Sequence, residues 1–337
     1  MKQHLWRRIA ILGAGLGMAL SAQAGLYSSL YVFGDSLSDA GNDLIITGGT
    51  VPTATYYTDG IHTGRFTNGL TYADRLASGL GLSLTASLSG GTDYAYGGAR
   101  TTYVNPGLPP SALSFNQQIA AYDTTHAQAD AGGLYVLWIG ANDLADAIPL
   151  AAAGNPTAIS SAITIAMQGI GSAIQDLSSK GAEHFLIPNV PDLSLTPQVR
   201  GNPPQIGPIA QGASQQFNAA LDNLLAQYST LDIRQLDIYG LQTDVTNNPA
   251  AYGFNNVSMS CYTGDVNGAA LPGGPNPPTV CGTPGTYMYW DYEHPTDALH
   301  AVLGADALAA VVPEPASWAL LAIGLGALGG LRARRRG

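Results

Sequence analysis

The sequence predicts an α/β layer fold built on a parallel sheet. Strand-like and helix-like segments alternate from residue 25 to residue 312, with no internal repeat and no long linker. This alternation is typical of parallel sheets that are covered by helices. Residues 134–139 form a continuous apolar run that stops at Gly140, as expected for a central parallel strand buried on both faces. We therefore expect one domain over residues 25–311.

The individual elements follow from apolar runs and helical spacing. A first strand is expected at 30–33, before Gly34, and a helix near 70–80 follows because Tyr72, Leu76 and Leu80 share one face. A long helix is predicted at 157–179, with Gly181 as its stop. The remaining predicted elements are, in order, strand 184–190, helix 208–228, strand 233–238 and helix 296–311.

Two insertions interrupt this alternation, at 47–69 and 255–289, and both are rich in Gly, Pro and Thr. In α/β folds, long loops at the ends of strands usually shape the functional site. The second insertion holds both cysteines of the chain, Cys261 and Cys281. For an exported protein we expect a disulfide that closes this loop, with two unpaired thiols as the alternative. No CxxC or HxxxH spacing occurs, so no metal site is expected.

Charge is distributed unevenly along the chain. The 337 residues include 13 Lys+Arg and 23 Asp+Glu, for a net charge of −10. Seven of the basic residues lie in the first eight and last six positions, which leaves six basic and 22 acidic side chains between 25 and 312. Such a body is not expected to bind nucleic acid, which requires a basic surface. With 46% hydrophobic and 11% charged residues, the chain is also not expected to be a long disordered protein.

Residues 1–24 are typical of a cleaved export signal. Lys2, Arg7 and Arg8 precede an apolar stretch at 9–20, and Ala22-Gln23-Ala24 gives the small-x-small pattern that signal peptidase cleaves. The alternative is an N-terminal membrane anchor, but about 12 apolar residues are too few to span ~30 Å of hydrocarbon. We therefore expect export, with signal peptidase acting after Ala24.

The segment 312–337 has three parts in order: Pro313-Glu314-Pro315, an apolar run at 316–331 and an Arg-rich cluster at 332–336. Taken alone it predicts a tail anchor with transient membrane contact. A helix over the run would be ~24 Å long, which is short but can sit in a bilayer that thins around it. The segment resembles the PEP-CTERM sorting signal. That resemblance implies export to the periplasm, outer surface or extracellular matrix of a Gram-negative bacterium, and processing by an exosortase-type enzyme. The hydrophobic tail would then be removed.

The candidate chemistry begins with a serine and a set of hydrogen-bond donors. Ser36 comes directly after the first predicted strand, where a hydroxyl can meet a substrate but still needs a base. The alternative role is a turn or helix-cap serine. Gly97 and Gly98 follow a strand-like run at 94–96, and Asn142 follows the central strand. Each could donate a hydrogen bond to an anion, although each is also an ordinary strand-to-turn junction.

His294 is the candidate base, and Asp291 is the candidate carboxylate that orients it. They are three residues apart just before the last predicted helix, close enough for the carboxylate to hold the imidazole. The other histidines are weaker candidates. His4 would leave with the signal, His300 is expected on the surface of the last helix, and the rest lack a comparable setting: His62, His126 and His184.

These blocks and their order resemble the SGNH, or GDSL, hydrolase family over about 29–311. Its namesake Ser, Gly, Asn and His match Ser36, Gly97, Asn142 and His294, with Gly98 open as the alternative to Gly97. Residues 64–69 resemble the lipase/esterase branch that includes secreted phospholipase, haemolysin and autotransporter-esterase-like proteins. The resemblance implies a three-layer α/β/α sandwich with a flavodoxin-like parallel sheet and a catalytic site at the carboxyl ends of the strands.

The resemblance also implies ester hydrolysis through an acyl-enzyme on Ser36. His294 would be the general base, oriented by Asp291, and the oxyanion would be held by Ser36, Gly97 and Asn142. No cofactor is needed, and the substrate would be an ester of a lipid, an acylated small molecule or a glycan. Two alternatives remain open: an acetyl esterase acting on extracellular polysaccharide, and a non-catalytic matrix or surface protein with the same fold.

Overall fold

The structure is a computed structural model that describes residues 25–104 and 112–312. The predicted export signal at 1–24 and the tail from 313 onward lie outside the described residues. Within those residues, no helix is both long enough and apolar enough to cross a bilayer.

A parallel sheet forms the centre of the fold. Its four strands pair in chain order, β1–β2–β3–β4, and every pair is parallel. Along the edge of β1 that faces away from β2, the Val32 N–H donates to the Thr92 carbonyl and the Tyr94 N–H donates to the Val32 carbonyl. The second extended segment of the chain therefore flanks the first strand, as in a flavodoxin-like sheet. The strand bounds are β1 Leu30–Gly34, β2 Leu134–Trp138, β3 His184–Pro188 and β4 Asp232–Leu236.

Helices cover both faces of this sheet. The first five helices are α1 Asn42–Ile46, α2 Tyr72–Gly79, α3 Phe115–Asp123, α4 Ala141–Ala152 and α5 Ala158–Ser179. The other four are α6 Pro197–Arg200, α7 Ile206–Leu225, α8 Ile238–Asn247 and α9 Asp297–Val311. The predicted long helix and last helix agree with α5 and α9 to within one residue.

The side chains of each strand alternate between two hydrophobic cores. Tyr31 and Phe33 of β1 face the core formed with α3, α4, α5 and α7. Leu30 and Val32 face the core formed with α2, α8 and α9. The predicted three-layer α/β/α sandwich is confirmed. Because both faces of the strands are buried, the apolar run at 134–139 shows no alternation in sequence.

The strand-like run at 94–96 does not form a strand: Asp93, just before it, makes isolated bridges with Val32 and Ala86, and Tyr94 donates its N–H to the Val32 carbonyl. Side chains take up the backbone groups that a longer strand would use. Asp93 accepts the N–H of Ala95, and the Asn42 amide donates to the carbonyl groups of Asp93 and Ala95. The chain therefore leaves the sheet edge early and turns toward Gly97.

The two insertions pack against each other beside the sheet. The second contains a short parallel pair, β5 Asn256–Ser260 and β6 Tyr287–Tyr289. A disulfide joins Cys261 to Cys281, as expected from the sequence. Thr53 in the first insertion donates its N–H to the Val266 carbonyl in the second at 2.9 Å. The joined insertions thus form one unit at the side of the domain.

Both ends of the described chain lie at the amino-terminal edge of the sheet. Tyr27, just before β1, donates its hydroxyl to the carbonyl of Val311, the last residue of α9, at 3.1 Å. Helix α9 has 15 residues, so its far end lies ~22 Å along the helix from its start.

Candidate active site

Ser36 lies in a tight bend where β1 ends. The Ser38 and Asp39 N–H groups donate to the Asp35 carbonyl at 3.0 and 3.1 Å, which turns the chain immediately after the strand. Gly34 permits this bend beside β2, because a Cβ there would lie 2.5 Å from the Trp138 carbonyl oxygen. The hydroxyl of Ser36 is thereby held at the carboxyl edge of the sheet, half-buried.

The loop before α9 brings a histidine and an aspartate to this serine. His294 Nε2 lies 2.9 Å from Ser36 Oγ, and His294 Nδ1 lies 2.7 Å from Asp291 Oδ2. Because a carboxylate only accepts, Nδ1 carries the proton and neutral Nε2 is free to accept from the serine hydroxyl. Asp291 is fully buried and His294 is 4% exposed. The three residues predicted from distant blocks therefore meet in one chain of hydrogen bonds.

The charges in this group support one another. Burial lowers the pKa of His294, but the Asp291 carboxylate outweighs it, and with Glu293 and Asp35 it raises that pKa to about 9. Burial opposes ionisation of Asp291, yet the His294 charge and several donated hydrogen bonds keep its pKa below the ordinary value. The pair is thus organised to hold an imidazolium against a buried carboxylate.

Asn142 lies in the first turn of α4 and lines the same pocket as Ser36 and His294. Its Nδ2 donates to the Ala99 carbonyl at 3.1 Å and faces Asp35 Oδ2 at 3.4 Å. Gly140 allows the preceding turn, since its φ is +118° and a Cβ would lie 2.2 Å from Phe217. Burial raises the pKa of Asp35 to about 7. The amide is thus held between the Ala99 carbonyl and the Asp35 carboxyl group, at the wall of the pocket that Ser36 also lines.

Gly97 and Gly98 have different environments. The Gly97 backbone is buried, its N–H faces Asp39 Oδ2 at 3.4 Å, and a Cβ would lie 2.3 Å from Phe66. Gly98 is half-buried with φ +66°, and its N–H donates none of the hydrogen bonds found among the described residues. The close approach of the Phe66 ring therefore explains why position 97 is a glycine.

Two expectations about the other histidines are wrong. His300 is not a surface residue: it is 1% exposed, accepts the Tyr72 N–H at 3.1 Å, and has a pKa lowered to about 3 by burial. His62 and His184 do have carboxylate partners, Asp59 at 2.8 Å and Asp232 at 3.0 Å. Both pairs are partly exposed and neither hydrogen-bonds to a serine. An Asp-x-x-His spacing alone therefore does not distinguish the site.

Residues 64–69 hold the histidine loop in place, a role that sequence reasoning missed. Thr67 donates its hydroxyl to the Pro295 carbonyl at 2.9 Å, and the Asn68 side chain accepts the Asp297 N–H at 2.8 Å. The Phe66 ring lies against the imidazole of His294, with ring centroids 5.3 Å apart. The only available signal was the resemblance of this block to one family branch, which assigns no role to its side chains.

Tyr57 was also missed. Its side chain is fully buried, and its hydroxyl donates to Asp291 Oδ2 at 2.6 Å. Nothing in the Gly/Thr-rich sequence around it marks it as part of the site, since 234 positions separate the two residues.

An apolar cavity of about 220 Å³ opens beside Ser36 and His294. Polar groups lie near the serine, where Asp35, Asn142 and Glu293 contribute to the lining. The rest is mainly apolar, and includes Leu37, Trp138, Ala145, Ile148, Leu193, Val199, Ile206, Ile238, Leu299 and Leu303. Within residues 25–104 and 112–312, no cluster of three His, Cys, Asp or Glu side chains could hold a metal ion.

Comparison with known proteins gives two matches to family models. Residues 30–307 match the family described as GDSL-like Lipase/Acylhydrolase. Residues 311–336 match the PEP-CTERM protein-sorting motif.

Individual relatives carry similar descriptions. The chain is 34% identical over 221 residues to Lipase 1 of Photorhabdus luminescens, covering 64% of this chain but only 30% of that protein. It is 29% identical over 315 residues to a GDSL esterase/lipase of Arabidopsis thaliana, covering 80% and 82% of the two chains. Among solved structures, the extracellular lipase of Streptomyces rimosus aligns at 16% identity and a TM-score of 0.39, over 83% of this chain and 98% of that one.

Proposed function

Because the chain belongs to the GDSL-like lipase/acylhydrolase family, we propose that it hydrolyses carboxylic esters through an acyl-enzyme on Ser36. One observation carries this proposal: the continuous hydrogen-bond chain from Ser36 Oγ through His294 to Asp291, with links of 2.9 and 2.7 Å. A buried carboxylate, an imidazole and a hydroxyl in this order match the requirements for an activated serine nucleophile.

The reaction proceeds in two stages. Ser36 Oγ attacks the ester carbonyl while its proton passes to His294 Nε2, and Asp291 stabilises the imidazolium that forms. His294 then gives the proton to the departing alkoxide, and the acyl group remains on Ser36. In the second stage, His294 takes a proton from water as the water oxygen attacks the acyl carbonyl. The bond from that carbonyl carbon to Ser36 Oγ then breaks, His294 returns the proton to Ser36 Oγ, and the acid is released.

The oxyanion of each tetrahedral intermediate accepts from the Ser36 N–H, the Gly98 N–H and Asn142 Nδ2. We propose Gly98 rather than Gly97 because, among the described residues, the Gly98 N–H donates no other hydrogen bond, whereas the buried Gly97 N–H faces Asp39 Oδ2 at 3.4 Å. Removing one oxyanion donor typically costs ~10²–10³-fold in kcat.

The substrate is an ester with an apolar acyl chain. The mainly apolar lining of the cavity next to Ser36 supports this choice, since each buried methylene of an acyl chain gains ~0.8 kcal/mol there. An acetyl esterase acting on polysaccharide would have no use for so large an apolar space beside the serine. A non-catalytic surface protein would not need the hydrogen-bond chain at all.

The enzyme acts outside the cytoplasm. The sorting motif at 311–336 indicates export in a Gram-negative bacterium and implies exosortase processing. We place the mature form, about residues 25–312, in the periplasm, on the outer surface or in the extracellular matrix, after signal peptidase and the exosortase have acted.

Replacing Ser36 tests the proposal directly. Ser36→Ala should abolish hydrolysis of p-nitrophenyl esters and covalent labelling by a fluorophosphonate probe. Ser38→Ala is the matched control, because its hydroxyl lies in the same bend but pairs with the Tyr72 hydroxyl at 2.9 Å. Wild-type hydrolysis by the Ser36→Ala protein would remove Ser36 as the nucleophile.

A further inference from the structure

The carboxylate of Asp291 has donors at both of its oxygens. Oδ1 accepts the backbone N–H groups of Glu293 and His294 at 2.9 and 2.7 Å. Oδ2 accepts from His294 Nδ1 at 2.7 Å and from the Tyr57 hydroxyl at 2.6 Å. Tyr57 is therefore the one side chain besides His294 that donates to this buried carboxylate among the described residues. It does so at the same oxygen that holds the imidazole.

Tyr57 is fixed in this position by the two packed insertions. Its ring lies edge-on to Tyr262 at 5.7 Å and to Trp290 at 6.3 Å, and the Tyr262 and Trp290 rings stack at 5.6 Å. Tyr262 is next to Cys261, whose disulfide to Cys281 closes the second insertion. The hydroxyl has little freedom to turn away from Asp291, and burial next to Asp291 raises the pKa of Tyr57, so the phenol stays protonated.

We propose that Tyr57 is a positioning residue for catalysis, whose hydroxyl fixes Asp291 Oδ2 so that Asp291 can orient and stabilise the His294 imidazolium. This inference rests on the proposed acyl-enzyme mechanism at Ser36. A fully buried carboxylate loses hydration on folding and needs donated hydrogen bonds to remain ionised. Tyr57 supplies one of these bonds from an insertion, and the sheet itself provides no substitute for it.

Loss of the Tyr57 hydroxyl should shift the pH profile of kcat/KM in one direction. Without the hydroxyl, the negative charge on Oδ2 is shared by one donor fewer, so Asp291 holds the His294 proton more tightly. The acid limb of kcat/KM should therefore move to higher pH. Tyr57→Phe leaves in place the other titratable side chains around Asp291 and His294, which are Asp35, Glu293, Tyr262, Tyr292 and His300.

Tyr57→Phe is the test, and Tyr262→Phe is the matched control. Tyr262 belongs to the same aromatic cluster, but its hydroxyl donates to the Asp265 carbonyl at 3.2 Å rather than to Asp291. With active sites counted by fluorophosphonate titration, so that only folded enzyme is scored, Tyr57→Phe should lower kcat at least ~10-fold. Its KM should stay within about twofold of wild type. Tyr262→Phe should keep the wild-type kcat and pH profile.

A double-mutant cycle separates positioning from packing. In an Asp291→Asn background, the further change Tyr57→Phe should have no effect on kcat, because the hydroxyl acts through the carboxylate. An equal loss in both backgrounds, or a Tyr57→Phe enzyme with unchanged kcat and acid limb, would overturn the role of Tyr57. Failure of the mechanism itself would appear elsewhere, as hydrolysis by Ser36→Ala.

Discussion

The apolar cavity predicts how the rate depends on acyl-chain length. The cavity measures about 220 Å³, many times the ~10–15 Å³ that accommodates one water-sized group, so an acyl chain of several methylenes fits in it. Each methylene removed from water gains ~0.8 kcal/mol, a factor of about four. We therefore expect kcat/KM to rise by up to about fourfold per methylene as the acyl chain lengthens from acetate, and to level off once the chain fills the cavity.

Ala145→Trp is the perturbation that tests this reasoning. Ala145 lies in α4 and lines the cavity, so an indole there should fill part of the space that the acyl chain enters. Loss of room for three methylenes would cost ~2.4 kcal/mol, or ~60-fold in kcat/KM for octanoate. Acetate turnover should change little. Ala152→Trp, on the exposed end of the same helix, is the control.

The assay is steady-state hydrolysis of p-nitrophenyl esters from acetate to laurate, kept below the concentration at which they form micelles. An Ala145→Trp enzyme with the wild-type chain-length profile would show that the acyl chain does not enter the cavity. A wild-type enzyme that hydrolyses acetate alone would favour the polysaccharide acetyl esterase instead.

Three further outcomes are expected. Asn142→Ala should lower kcat ~10²-fold with little change in KM, because its amide acts on the oxyanion; an unchanged kcat in the same ester assay would remove it from that role. Burial lowers the pKa of His294, but the Asp291 carboxylate raises it to about 9. Since only neutral imidazole is a base, kcat/KM should rise with pH through an apparent pKa above ~6.5, and a wild-type acid limb at or below that value would contradict this. Joint replacement of Cys261 and Cys281 by serine should lower the free energy of unfolding in urea by ~3 kcal/mol; equal midpoints and slopes would argue against it.

The sequence predicted the elements and residues that carry local signals. Strand–helix alternation predicted an α/β fold with a parallel sheet, and the family resemblance implied its three layers. Ser36, Asn142, Asp291 and His294 could be identified because each lies in a short block at the end of a strand or before a helix. Their order along the chain then pointed to a family.

The remaining features depend on contacts between distant residues. Thr67 reaches Pro295 across 228 positions, and no local pattern marks such a pair. Gly97 was preferred over Gly98 because it is the first of the pair, and no local pattern shows that its N–H faces Asp39 or that Phe66 packs against it. His300 was expected on the surface because a histidine is polar. The sequence does not show that α2 packs over it or that its ring accepts the Tyr72 N–H.

The hydrogen bond from Tyr27 to Val311 places the two ends of the domain, where the export signal and the sorting tail would be removed, far from the proposed catalytic site. The first and last described residues lie at one pole of the domain, whereas the proposed catalytic site lies at the opposite pole, a distance of about the length of α9 away. Trimming either end therefore should not disturb the catalytic residues.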